Sequence, residues 1–243
     1  DGKLLGMLDV VGLPYLSPSL KVSAVCFDKG YTKALLTYAD VDNPRGFVLH
    51  HDRCTTGELD EKIVKKLNYP VVVKPTSSGN SWGVSIVRTK DDLVRAIDAA
   101  LMFADELLVE QYIEGQEFTV GVVGHYLHPV VLPVVMISHQ EELFDYRAKY
   151  TVGKSEEICP APISLEITQR LQAAATSAYR AVKADSHVRI DMILGLDGRV
   201  YVLDINTFPG LNRASLFPKE LRAAGKTLGK FIDDQVKKKL SRK

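Results

Sequence analysis

The chain has 243 residues, 46% of them hydrophobic, which is enough to bury a sizeable core and too many for an intrinsically disordered segment. Thirty-one Lys and Arg against thirty Asp and Glu leave a net charge of +1, which argues against nucleic-acid binding as the main role. The longest apolar run, Val130 to Ile137, holds eight residues, one of them Pro133, where a bilayer-spanning helix needs roughly twenty.

Cys26, Cys54 and Cys159 are an odd number, widely spaced and without a C-x-x-C pair. A disulfide framework or zinc ribbon is therefore not expected, and a reducing compartment is favoured. The chain opens on Asp1 rather than Met. Residues 1–19 read as a short helix, a turn and a short strand, too little for a domain, so a processed or partial chain is expected.

From there helices alternate with short β-branched strands, which predicts a mixed α+β protein. Tyr69 to Pro75 is an apolar strand bounded by prolines, joined by a Gly/Ser-rich turn to a second strand in "SWGVSIVRT". Thr89 and Asp92 suit a capping box for a helix carrying Leu93, Ile97, Ala100, Leu101 and Ala104 at helical spacing. "ELLVEQYI", "EFTVGVVG" and "LHPVVLPVVMI" read as further strands. Residues 139–162 are polar and poorly periodic, a long loop of the kind that is either functional or disordered. An Ala-rich helix over 164–184, a hairpin and a basic C-terminal helix complete the chain.

The hairpin in "VRIDMILGLDGRVYVLDIN" carries most information. Asp197-Gly198 between two apolar strands predicts a two-residue turn. Asp191 then faces Asp204, Arg189 faces Asn206, and Ile190 faces Ile205. Alternation puts Ile190, Met192, Leu194, Tyr201, Leu203 and Ile205 on the core face, and Arg189, Asp191, Asp204 and Asn206 on the other. Opposed like charges repel, a penalty that a divalent cation would reverse. Two carboxylates and an amide are hard oxygen donors suited to Mg²⁺ or Mn²⁺. A solvent-facing polar stripe accounts for the same alternation.

Lys74 stands at a strand end before a loop with Gly79 and Gly83. Backbone amides of such a loop can cradle phosphate oxygens, although a plain hairpin turn has the same composition. The Walker A pattern is absent, and Gly153-Lys154-Ser155 lacks its first glycine. No G-x-S-x-G occurs, and the histidines show no zincin spacing.

In order, "GMLDVVGLPY", "FDKGYTK", "YPVVVKP…SGNSWGVS", "LVEQYIEGQEFTV", "FDYRAKY…CPAP", "RIDMIL…DGRVYVLDINTFPG" and "SLFP" resemble the motifs of the D-alanine–D-alanine ligases of the ATP-grasp superfamily. The resemblance spans nearly the whole chain. It implies an ATP-grasp fold, two α+β subdomains holding nucleotide between them: residues 18–114 centrally and 115–243 C-terminally, with a lid at 139–162. Residues 1–17 would be the remnant of an N-terminal substrate domain. It implies ATP- and metal-dependent joining of two D-alanines through an acyl phosphate, for peptidoglycan synthesis. An ATP-grasp ligase for another amino-acid or hydroxy-acid acceptor, and an inactive nucleotide-binding fragment, are the alternatives. Such ligases are often homodimers.

Carried over motif by motif, Lys29 and Lys74 would contact ATP phosphates, and the loop of Gly79, Asn80 and Ser81 would close over them. Glu110, Gln111 and Ile113 would line the adenine site, and Glu117 would take the ribose hydroxyls. Asp191, Asp204 and Asn206 would hold two Mg²⁺ or Mn²⁺ ions. Arg189 and the backbone N–H of Gly210 would stabilise the oxyanion, Ser215 and Leu216 would contact the second D-alanine, and Lys149 and Tyr150 of the lid would reach over phosphate and substrate. The lid tyrosine resembles dipeptide-forming ligases more than depsipeptide-forming ones. Four features depart from the family pattern: the missing first domain, Asn80 for a common Ser, Asp204 for a common Glu, and, taken together, Phe144 for a common lid Tyr with Phe208 at a usually small position.

Overall fold

The computed structural model describes residues 2–50, 55–79, 81–139 and 155–241. Two antiparallel sheets organise it. The first has β1 (Gly46–His50), β2 (Val71–Pro75), β3 (Ser85–Val87) and β4 (Glu106–Gln111) in the order β1-β4-β2-β3. One face is covered by α4 (Thr56–Lys66) and α5 (Leu93–Leu101), which follow α1 (Lys3–Val10), α2 (Leu20–Phe27) and α3 (Lys29–Tyr38). Leu59 and Ile63 of α4 and Leu93, Ala96 and Ala100 of α5 meet Val71, Val73, Val87, Leu107 and Val109 in one apolar cluster. Helix α4 begins in a full capping box, Thr55 accepting from the Glu58 N–H while the Glu58 carboxylate accepts from the Thr55 N–H.

The second sheet contains β5 (Gly115–His125), β6 (His128–Val131), β7 (Val135–His139), β8 (Ser155–Ile158), β9 (His187–Gly195) and β10 (Val200–Asn206). Its order is β10-β9-β5-β7-β8, with β6 also paired to β5. Helix α6 (Leu165–Ala181) covers one face. Ser164 caps it by accepting from the Ile167 N–H, and Glu166 and Arg180 sit at the termini that the helix dipole favours. Leu171, Ala175, Ala178 and Tyr179 pack on Phe118, Val120, Ile190, Met192 and Val202, joined by Val22 and Cys26 of α2 and Leu36 of α3. Helices α7 (Leu216–Ala223) and α8 (Leu228–Leu240) close the chain.

Several expectations change. The N-terminal stretch contains α1 but no strand; residues 11–19 run irregularly into α2. Thr89 and Asp92 join side chain to side chain at 3.2 Å, but Thr89 makes no side-chain cap to the backbone, and a 3₁₀ turn over Lys90–Asp92 precedes α5. The expected loop over 139–162 includes β8 among its described residues; residues 140–154 lie outside them.

The hairpin is corrected in register and confirmed at its polar end. Gly195 and Arg199 pair around a three-residue loop, with Gly198 at φ 78° in the left-handed region. That is the longer hairpin loop closed by a glycine, not the two-residue turn. Val200, Tyr201 and Val202 therefore face Leu194, Ile193 and Met192. A bulge between Val202 and Asp204 absorbs the extra residue, so Asp204 faces Asp191, Ile205 faces Ile190 and Asn206 faces Arg189, as expected. The price of the shift is paid on the faces: Val202, not Tyr201 or Leu203, joins the main core. Tyr201 packs with Ile193 and Ile113 on the opposite side, with Leu203 against them.

Candidate active site

The cleft lies where the N-terminus of α3, the ends of β2 and β4, and β10 meet; Lys29, Thr32, Lys33, Leu108, Leu203 and Asp204 line it. Asp28 caps α3, its carboxylate accepting from Gly30 N–H at 2.8 Å and Tyr31 N–H at 3.1 Å. The cap fixes Lys29 in the first turn and Lys33 one turn later on the same face.

Lys29 Nζ donates to the Ser78 carbonyl at 2.7 Å and stands 3.9 Å from Asp204 Oδ2; its backbone N–H donates to the Thr76 carbonyl at 2.8 Å. It thus ties the glycine loop to the polar face of the hairpin. Lys74 and Glu110 are both buried on adjacent strands, and their side chains pair at 2.5 Å. Lys33 Nζ approaches the other Glu110 oxygen at 3.0 Å. Burial alone would raise the Glu110 carboxyl, but the Lys74 and then the Lys33 ammonium outweigh it and hold it below its ordinary value. Burial lowers Lys33, and Glu110 offsets only part of that. Two ammonium groups against one carboxylate leave an uncompensated positive charge beside the loop, the field that draws in a polyphosphate.

The loop itself is two consecutive turns, Trp82 N–H to the Gly79 carbonyl and Val84 N–H to the Ser81 carbonyl, with Ser81 at φ 59° and Gly83 at φ 74°. Gly83 packs so closely on α5 that a Cβ would lie 3.0 Å from the Ala99 carbonyl oxygen, whereas among the described residues nothing approaches a Cβ on the exposed Gly79. Packing thus explains Gly83, and Gly79 marks the open tip.

Across the cleft, Asp191 is buried and heavily bonded. Arg189 grips it with Nε to Oδ1 and a second nitrogen to Oδ2, both at 2.8 Å. Thr119 donates to Oδ1 at 2.8 Å and the Asn206 amide to Oδ2 at 2.9 Å. Asp204 has Lys29 for company, so each opposed carboxylate already faces a cation. Their juxtaposition does not by itself demand a metal. Among the described residues no three His, Cys, Asp or Glu side chains gather as a metal cluster. The donor set is two carboxylates and one amide, whose chemistry fits a hard divalent cation.

Of the other expected residues, Glu110 spends its side chain on the two lysines, and Gln111 accepts from Arg45 at 3.3 Å. Ile113 is buried beside Ile193 and Tyr201 in a small apolar bed on the cleft side, and Glu117 is buried in β5. Gly210 abuts Ser215, where a Cβ would lie 2.5 Å from the Ser215 hydroxyl. Ser215 stands at the N-cap of α7 without using its side chain as a cap, and Leu216 follows half-buried. Phe208 is 64% exposed on the same loop. Asn80, Phe144, Lys149 and Tyr150 lie outside the described residues.

Three residues were missed. Lys33 carries a signal, its four-residue spacing from Lys29. Glu220 carries a weaker one, a charge within the apolar i, i+3, i+4 stripe of Phe217 and Leu221. Thr119 carries none, because only the β5–β9 pairing sets it opposite Asp191.

The family description "D-ala D-ala ligase C-terminus" matches residues 39–237. The chain belongs to the D-alanine–D-alanine ligase family. It is 37% identical over 234 residues to D-alanine–D-alanine ligase A of Bacillus cereus, covering 96% of this chain and 74% of that protein. The D-alanine–D-alanine ligase structure from Bacillus anthracis superposes with a TM-score of 0.82 at 33% identity, over 99% of this chain and 76% of that one. The VanG D-Ala:D-Ser ligase of Enterococcus faecalis superposes with a TM-score of 0.88 at 29% identity, over 97% and 68%. The expected α+β, ATP-grasp architecture is the fold these ligases share with this chain. Among the described residues no helix is long and apolar enough to cross a membrane.

Proposed function

We propose that the chain joins two D-alanines using ATP, with the nucleotide held between the first sheet and the hairpin sheet as central and C-terminal subdomains. The observation that carries this reading is the cluster of Lys29, Lys33, Lys74 and Glu110 set directly against Asp204. Catalysis is then positioning and charge neutralisation. Lys29 and Lys74 hold phosphate oxygens while the first D-alanine carboxylate attacks the terminal phosphoryl group, whose bond to the bridging oxygen breaks to release ADP. The amine of the second D-alanine attacks the resulting acyl phosphate, and phosphate leaves.

Ile113, with Ile193, Tyr201 and Leu203, offers an apolar bed for the base, and Glu117 offers acceptors for the ribose hydroxyls. Arg189 and the Gly210 amide face the developing oxyanion. Ser215 and the N-terminus of α7 receive the second carboxylate. Asp191, Asp204 and Asn206 would hold Mg²⁺ or Mn²⁺, which supplies charge neutralisation on the phosphates. Lys149 and Tyr150 belong to the proposed lid. A cytoplasmic setting and a homodimer complete the reading.

The test is incubation with Mg-ATP and D-alanine, with ADP and D-alanyl-D-alanine read by mass spectrometry. Dipeptide supports the reading in full. ADP release that does not respond to D-alanine rejects the ligase assignment, and full turnover by D204A rejects the metal role of Asp204.

A further inference from the structure

Helix α7 lies over the face of the second sheet that carries Arg189, and from it projects Glu220, fully buried among Phe217, Leu221 and Leu132. One carboxyl oxygen accepts the Gly121 N–H at 2.7 Å. Among the described residues the other has no hydrogen-bond partner. A Cβ on Gly121 would lie 2.6 Å from that second oxygen, so the carboxyl fills the side-chain position that the glycine leaves empty.

Gly121 stands directly opposite Arg189 in the β5–β9 ladder. Directly opposed side chains leave the sheet on one face, about 4.5–5.5 Å apart. The unpaired oxygen therefore stands beside the Arg189 stem, while the guanidinium itself is turned onto Asp191. Asp191 in turn is saturated. A carboxylate offers about four lone-pair sites, and Arg189 twice, Thr119 and Asn206 supply four donors. A cation entering at Asp191 must displace part of this set. The guanidinium it displaces would be buried with no counter-charge unless one stands nearby.

We propose that Glu220 is a positioning residue for Arg189, its unpaired oxygen receiving the guanidinium when a divalent cation takes the Asp191 carboxylate. This rests on the reading of Asp191 as a metal ligand. Glu220 touches neither nucleotide nor metal; it releases to solvent the proton it holds at rest as the guanidinium arrives, and so gives Arg189 a second seat, from which the guanidinium stays buried, ordered and aimed at the site.

The test is an Mn²⁺ titration of the 243-residue chain in the presence of AMP-PNP, followed by electron paramagnetic resonance. E220Q keeps the side-chain volume and the acceptor for Gly121. It should weaken Mn²⁺ binding about tenfold, as loss of an outer-sphere partner does, and should have no further effect in an R189A background. Equal affinity in the unmodified chain and E220Q, or an equal loss in both backgrounds, overturns the proposal. A second measurement needs no variant at position 220: the Arg189 Nε nitrogen resonance of the unmodified chain shifts when Mg²⁺ and AMP-PNP are added. An unmoved resonance overturns the proposal even where E220Q does not fold. An unmodified chain that binds no Mn²⁺ overturns both the proposal and the metal reading beneath it, whereas Mn²⁺ bound equally by all variants removes only the role of Glu220.

Discussion

Replacing Glu220 with Gln should change how stability depends on pH. Burial pushes the Glu220 carboxyl up from its ordinary 4.5 to about 8; the Gly121 amide and Arg189 counter only part of this. Between these values the folded chain holds a proton that the unfolded chain has released. Stability is therefore greatest below the unfolded value and is lost as pH rises through the folded one. Each pH unit in the window removes about 1.4 kcal/mol, so going from pH 6 to pH 8 costs about 2 kcal/mol. Full burial leaves no solvent screening to discount. His187, packed against Phe217 and Phe231 and lowered by burial to about 4, acts in the opposite sense: its unfolded form still binds protons near pH 6. That gain is roughly 1 kcal/mol over the same interval and is common to both proteins, so the difference between them isolates Glu220. Urea denaturation at pH 6, 7 and 8 measures it. E220Q should gain about 2 kcal/mol on the unmodified chain across the range, or roughly 4–8 °C in melting temperature. Parallel curves would refute the argument.

Glu110→Gln should destabilise the chain by about 3–5 kcal/mol at pH 7, because it strands the Lys33 and Lys74 ammonium groups without their buried counter-charge; denaturant midpoints at constant slope check this, and a loss below 1 kcal/mol would show that water reaches the lysines. Gly83→Ala adds a side chain at positive φ and against the Ala99 carbonyl, so it should cost about 1–3 kcal/mol. Gly79→Ala, in open space, should cost less than half as much by thermal melting.

How much of this was legible in the sequence depends on what each inference needed. Alternation was enough to place Arg189, Asp191, Asp204 and Asn206 together, and the pairing at that end is as expected. It held through two compensating departures, a loop one residue longer and a one-residue bulge between Val202 and Asp204. A period of two cannot detect either, which is why Val202 and Tyr201 exchanged faces. The penalty inferred from opposed aspartates was also incomplete, since neutralisation by Arg189 comes from the same strand and by Lys29 from a helix distant in sequence. Lys33 was within reach of helical spacing alone. Thr119 and the seat of Glu220 over Gly121 depend on which strands become neighbours, and no local pattern states that.

The same contacts constrain how a metal–nucleotide complex would enter. Of the lysines that would hold phosphates, Lys74 is already paired with Glu110 and Lys29 stands beside Asp204, and the aspartate that would hold a cation is already paired with Arg189. Binding would therefore exchange ion pairs rather than create them. In a buried site this matters, because an isolated charge costs far more than a pair. Phosphate reaching Lys74 relaxes its hold on Glu110 while Lys33 remains at 3.0 Å from that carboxylate. A cation reaching Asp191 releases Arg189 toward Glu220. Each displaced partner has a second one within the fold, and the pre-formed pairs keep the cleft ordered before either ligand arrives.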